Sequence, residues 1–191
     1  MKLKIINKTG CIKINGIIKN QGSKNAMLNN LCLPILTSEE CIIDNVPDIS
    51  DIKLNIMHLE MLNATVKWLN PNKISIKCNN LINLQMDSNL SIKTTGSKFF
   101  IPLMVQKFGN YITGPSGGCN IGDRMFINYA KSLESFGISF KIIDDSKFYF
   151  YKINSFHNNI TLPFPSFGLT VNAIFSSACQ NKETIISNVC L

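Results

Sequence analysis

The chain has 191 residues, 45% of them hydrophobic and 16% charged, with a formal net charge of +7. That length supports one or two domains with a sizeable core, and the composition excludes a disordered tail or a collagen-like fibre. The longest apolar run, Phe99 to Val105, contains Pro102 and falls far short of the roughly 18 residues of a membrane span.

The segment Met1 to Gln21 alternates Lys and Ile and lacks the organisation of a secretory leader, which predicts a soluble, cytoplasmic protein without a membrane partner. Ile, Asn and Lys number 28, 24 and 18, a bias expected from drift toward A- and T-rich codons. The lysines are scattered, with no basic stripe interleaved with aromatics, so no nucleic-acid partner is predicted. Against that background the single arginine, Arg124, points to a site that needs a planar donor fork.

In chain order, Ser23 predicts an N-cap for a helix through Leu33, followed by a strand at Cys41 to Asp44. An amphipathic helix at about Asp51 to Leu62, with Ile52, Ile56, Leu59 and Leu62 on one face, leads to strands at Thr65 to Trp68 and Lys73 to Lys77. The same series returns as a helix capped by Ser97, a strand at Asn110 to Thr113, a helix at about Asp123 to Phe136, and strands at Ser139 to Ile143 and Lys147 to Lys152. A third helix is assigned Thr170 as its cap, with a strand at Thr184 to Ile186. The first helix of each unit is apolar on most of its circumference, which predicts burial among other elements.

This recurrence is an internal repeat. Gly22-Ser23-Lys24 returns as Gly96-Ser97-Lys98, and Leu59-Glu60 as Leu133-Glu134, both 74 residues on. Thr170-Val171-Asn172-Ala173 opens a third copy. The expected fold class is therefore α/β (α+β), a pseudo-threefold repeat of βαβαββ units at about 16–88, 89–160 and 161–191, with apolar helices inside a ring of sheets. The third unit is cut short at Leu191, which predicts a truncated or split protein that exposes apolar helix faces and strand edges.

Seven cysteines occur, none at C-x-x-C spacing, so most are expected to be small buried hydrophobes and no metal site is predicted. His58 and His157, the only histidines, are expected to be ordinary packed or surface residues. The run Gly114-Pro115-Ser116-Gly117-Gly118-Cys119-Asn120-Ile121-Gly122-Asp123-Arg124 is a glycine-rich loop without a counterpart in the first unit. Such a loop at a helix start suits an anion, and a thiol five residues from a guanidinium suits a nucleophile or acid. Lys24 and Asn25, just after a helix cap, suit a phosphate and a hydroxyl.

Gly22-Ser23-Lys24-Asn25-Ala26, Leu33-Pro34-Ile35-Leu36, Asp44-Asn45-Val46-Pro47-Asp48 and Gly117-Gly118-Cys119-Asn120-Ile121-Gly122-Asp123-Arg124 together resemble the UDP-N-acetylglucosamine enolpyruvyl transferases. The resemblance implies an inside-out α/β barrel of the enolpyruvate transferase type. Residues 1–15 would belong to the second domain of the full enzyme and 16–191 would form its first domain. It further implies transfer of the enolpyruvyl group of phosphoenolpyruvate to the 3-hydroxyl of UDP-N-acetylglucosamine, the step that commits this sugar to peptidoglycan, without cofactor or metal. Cys119 would be the general acid and the target of the epoxide fosfomycin. Lys24 and Arg124 would hold the phosphate, Asn25 would orient the sugar, and Ser166 would lie in a Ser-x-Gly turn near the UDP.

The chain departs from the family pattern at Met125 to Tyr129, where Pro-Val-Asp-Leu-His is usual, and at Phe164, where a basic residue is usual. An arginine expected before the loop is replaced by Lys93 or Lys98. The family's aspartate base lies in its second half, so this chain alone is expected to be inactive unless that half or a second chain completes it. The alternatives are a transferase of the 5-enolpyruvylshikimate-3-phosphate synthase type and a decayed, non-catalytic remnant or binding module.

Overall fold

In the computed structural model, residues 17, 20–117, 126–153, 156–180 and 182–190 are described. Helix α1 (Lys24–Asn30) and a 3-10 turn (Leu33–Leu36) lead to β1 (Glu40–Ile43), α2 (Ser50–Met61), β2 (Thr65–Asn70) and β3 (Lys73–Lys77). After a single turn, α3 (Ser88–Ser91), come α4 (Ser97–Phe108), β4 (Asn110–Thr113), α5 (Phe126–Ser132) with a 3-10 turn (Leu133–Phe136), β5 (Ile138–Asp144) and β6 (Lys147–Lys152). The last elements are β7 (Asn159–Thr161), α6 (Phe167–Ala178) and β8 (Ile185–Ser187).

The first two sheets share one topology, β1-β3-β2 and β4-β6-β5, antiparallel throughout. The repeat reaches down to irregularities. The β2–β3 register shifts between Trp68 and Asn70 and the β5–β6 register between Ile142 and Asp144, positions 74 residues apart. In each hairpin the residue after the shift turns the chain with its own side chain: Asn70 Oδ1 accepts from the Asn72 N–H at 3.0 Å, Asp144 Oδ1 from the Ser146 N–H at 2.8 Å. The third unit contributes a parallel pair, β7 with β8, joined through α6. Among the described residues the first two units thus share the order αβαββ, and the third opens with a strand, a helix and a strand.

Three expectations need correction. Ser97 is not a cap: Gly96 holds that position, and the Ser97 hydroxyl, inside α4, donates to the Ser91 and Thr94 carbonyls at 3.1 Å each. Thr170 is not a cap either. Ser166 caps α6, accepting from the Leu169 N–H at 3.5 Å, while the Thr170 hydroxyl bonds back to the Ser166 carbonyl at 2.9 Å. In both cases an interior hydroxyl satisfied by a nearby carbonyl imitates the cap signature. Finally, α1 buries only Met27 and Leu28, whereas α4 buries Ser97 and the whole run Phe99 to Val105.

The buried helix α4 packs against α6 on one side and β4 on another. Tyr111, Phe100, Phe136 and Phe150 are the bulkiest fully buried side chains. A seam between the first two units runs through His58 of α2: its Nε2 lies 2.6 Å from the Tyr111 hydroxyl, and its ring packs edge-on to Phe100 at 4.7 Å. Cys32 and Cys78 are buried as expected, whereas Cys41, Cys179 and Cys190 are half-exposed. Phe167 and Ile174 of α6 are exposed, 45% and 50%, as are Leu69 at 51% and Ile142 at 54% in the first two units. Among the described residues no helix is long and apolar enough to cross a membrane.

Candidate functional site

Gly22-Ser23-Lys24-Asn25 does three separate physical jobs. A Cβ at Gly22 would run into the Asn45 carbonyl, so only glycine lets the start of α1 lie against the Asn45–Pro47 turn. Ser23 takes extended dihedrals and its hydroxyl accepts from the Ala26 N–H at 3.5 Å. Lys24 and Asn25 are then left exposed at the head of α1, with no acidic residue in that first turn. The Lys24 ammonium lies 3.7 Å from Asp51 of α2, with their side chains 47% and 23% exposed. The acidic residues of the neighbouring turn are engaged elsewhere, Asp44 with Lys73 at 2.8 Å and Asp48 with Lys53 at 2.6 Å. The bond from Lys73 holds the Asp44 carboxyl below its usual range.

The stem of the glycine loop, Gly114 to Gly117, is clamped against the turn between α3 and α4. The Gly117 N–H is shared by the Ser91 and Thr94 carbonyls at 3.0 and 3.1 Å, and the Ser91 hydroxyl reaches the Pro115 carbonyl at 3.1 Å. A Cβ on Gly117 would strike the Ile92 carbonyl, and that backbone cannot swing aside. Gly117→Ala should therefore displace the stem and cost about 1–3 kcal/mol, as overpacking does; a urea titration against the parent chain measures it, and a loss within error would contradict this packing. Cys119 and Arg124 lie outside the described residues.

Ser166 and Gly168 begin α6, and Gly168 leaves room for Lys98: its absent Cβ would be 2.9 Å from the Lys98 ammonium. That ammonium also lies over the rings of Phe99 and Tyr129, at 5.4 and 5.7 Å from their centroids. The first turns of α4 and α6, neither carrying an acidic residue, meet at this lysine, whereas Lys93 points into solvent. Lys98, not Lys93, is thus the cation beside the Ser166 turn. Burial raises the Tyr129 hydroxyl well above the usual tyrosine range.

Two polar residues of α2 were absent from the sequence reading. Asp51 touches Lys24, and Asn55, fully buried, accepts from the Thr94 hydroxyl at 3.1 Å. The available signal was Asn55 itself, a polar residue in the apolar stripe formed by Ile52, Ile56 and Leu59. Among the described residues no group of His, Cys, Asp and Glu is placed to hold a metal ion.

The EPSP synthase (3-phosphoshikimate 1-carboxyvinyltransferase) family model matches residues 8–191. The UDP-N-acetylglucosamine 1-carboxyvinyltransferase of Wolbachia pipientis wMel is 31% identical over 191 residues, covering 97% of this chain and 45% of that protein. The same-named protein of Finegoldia magna is 27% identical, covering 97% and 44%, and that of Prochlorococcus marinus NATL1A 30% identical, covering 92% and 39%. This chain therefore spans less than half the length of these curated relatives. The crystal structure of the enolpyruvyl transferase NikO from Streptomyces tendae superposes with a TM-score of 0.67 at 13% identity, over 86% of this chain and 38% of that one, a likeness of fold. The family model spans nearly the whole chain, and the chain therefore belongs to the EPSP synthase family.

Proposed function

We propose that this chain is the first domain, residues 16–191, of an enolpyruvyl transferase acting on UDP-N-acetylglucosamine, with residues 1–15 contributing to a second domain. The observation that carries the reading is the chain of contacts that joins the two motifs through α2: Lys24 lies beside Asp51, and the glycine-loop stem is bonded to Thr94, which donates to Asn55. A lysine at a helix head and a glycine-rich loop together suit a phosphate.

In the proposed reaction the sugar 3-hydroxyl oxygen adds to C2 of phosphoenolpyruvate while the Cys119 thiol gives a proton to C3. Lys24 and Arg124 neutralise the phosphate as the addition intermediate forms. Phosphate then leaves as C3 returns a proton to the Cys119 thiolate, and the double bond returns on the enolpyruvyl ether. Asn25 orients the sugar, and the Ser166 turn lies beside the diphosphate. The base that takes the hydroxyl proton is assigned to a group outside these 191 residues, from a second domain or chain. The names of the curated relatives favour UDP-N-acetylglucosamine over shikimate 3-phosphate as acceptor.

Fosfomycin labelling tests this without requiring turnover. The reading expects the epoxide to modify Cys119 and to do so faster when UDP-N-acetylglucosamine is present. Labelling of Cys32, Cys78 and Cys179 is expected to be slow, because burial pushes the Cys32 thiol far up, Cys78 up to about 11 and Cys179 upward, keeping them protonated at neutral pH, and peptide mass spectrometry separates Cys119 from the half-exposed Cys41 and Cys190. Labelling that ignores the nucleotide sugar, or falls equally on Cys32 and Cys179, would sink the proposal.

A further inference from the structure

The polar residues between α2 and the glycine loop form one continuous buried network. The Thr94 hydroxyl donates to Asn55 Oδ1 at 3.1 Å and accepts the Gly96 N–H at 3.0 Å. The Thr94 carbonyl takes the Gly117 N–H and the Ser97 hydroxyl, both at 3.1 Å, and the Ser91 carbonyl takes the same two donors at 3.0 and 3.1 Å. Asn55, Ser91, Thr94 and Ser97 are all at most 1% exposed. Burying so many polar groups is costly unless they are hydrogen-bonded, and all the side-chain polar atoms of these four residues are, except Asn55 Nδ2, which is buried without a partner among the described residues. Four hydroxyls and amides are more than a core position needs, since apolar residues of the same volume would pack there at no such cost.

The network ends on the backbone of the loop stem, and its other end is α2. Asp51 and Asn55 are four residues apart on that helix and so share a face: the first touches Lys24, the second Thr94. The fit is close, since a Cβ on Gly96 would collide with the Asn55 amide. We propose that Asn55, acting through Thr94, is a positioning residue that registers the glycine-loop stem with Lys24. Helix α2 is the rigid bar between the two, carrying the cation of the first unit on Asp51 and the loop of the second on Asn55. This rests on the reading of Cys119, two residues beyond Gly117 in sequence, as the reactive thiol.

The test is alkylation of Cys119 by iodoacetamide in the 191-residue chain, followed by peptide mass spectrometry from pH 5 to 9. It is run on the parent, Thr94→Val, Asn55→Leu, the double variant and Thr94→Ser. The expected result is a displaced pH midpoint and a rate changed by roughly tenfold in both single variants, no further change in the double variant, and a parent-like profile in Thr94→Ser, which keeps the hydroxyl. Urea titration of the same proteins separates positioning from stability. The double variant removes both partners of the Thr94–Asn55 bond and should regain part of the stability lost by either single variant, while its alkylation profile stays altered. A profile unchanged in the folded variants, or one that merely follows their urea midpoints, overturns the proposal. Failure of the enolpyruvyl-transfer reading is a different result, fosfomycin labelling indifferent to the nucleotide sugar with the alkylation profile still responding to Thr94.

Discussion

Lowering the pH from 7 to 5 should cost this chain about 2 kcal/mol of folding stability, and replacing His58 by Gln should abolish most of that loss. His58 is fully buried, and burial lowers its pKa from 6.5 to about 3. Its Nε2 meets the Tyr111 hydroxyl, and its Nδ1 has no partner among the described residues, so a second ring proton would have no acceptor. The imidazole is therefore neutral when folded and takes up its proton near pH 6.5 only when unfolded. A depressed folded pKa contributes stability that is complete above 6.5 and lost progressively as pH falls toward 3, at about 1.4 kcal/mol per pH unit. Urea titrations at pH 7, 6 and 5 on the parent and His58→Gln measure it. The exposed carboxylates held low, Asp44 and Asp144, titrate below this window and do not confuse the comparison. Equal pH dependence in the two proteins would show that His58 takes up its proton alike in the folded and unfolded chain, against the burial-driven depression.

Truncation of Phe100 to Ala should cost about 3–5 kcal/mol, the range for emptying a buried aromatic site. Phe100 is completely buried in α4, and its ring closes the seam between the first two units against His58. Domains of this size are stable by only about 5–15 kcal/mol, so the variant should lie near the edge of folding. Phe100→Leu, which refills most of the volume, should cost clearly less. The urea midpoint of both variants reads the difference, with the denaturant slope as a check that unfolding exposes the same surface. A loss under about 1 kcal/mol for Phe100→Ala would mean that the site collapses freely and that the seam is not tightly packed.

Both effects act on contacts between units, and such contacts are where the sequence reading was weakest. The hairpins β2–β3 and β5–β6 were legible because alternation and turn residues are local properties, and the second helices because their apolar spacing is local too. The caps were misassigned at Ser97 and Thr170. A Ser or Thr at a helix start and one that bonds back to a carbonyl one turn earlier look alike until the partner is seen. His58 gave no sign in sequence of its bond to Tyr111, 53 residues away. Of the candidate site, Lys24 and Asn25 were proposed from their own neighbourhood and Ser166 from the family resemblance, but the contacts of Asp51, Asn55 and Thr94 depend on partners in other elements.

What the sequence determined by itself was the repeat, the αβαββ order shared by its first two units and the family, because a 74-residue self-similarity and a run of motifs are properties of order along the chain. Only the tertiary structure decided that Lys24 and Thr94, which holds the glycine-loop stem, both meet α2, at Asp51 and Asn55, and that Lys98 is the lysine brought beside the Ser166 turn. The physical reason is that hydrogen bonds and close backbone approaches between units depend on how the units dock. Docking is set by the shapes of buried surfaces such as the Phe100–His58–Tyr111 seam, and no periodicity in the sequence encodes those shapes.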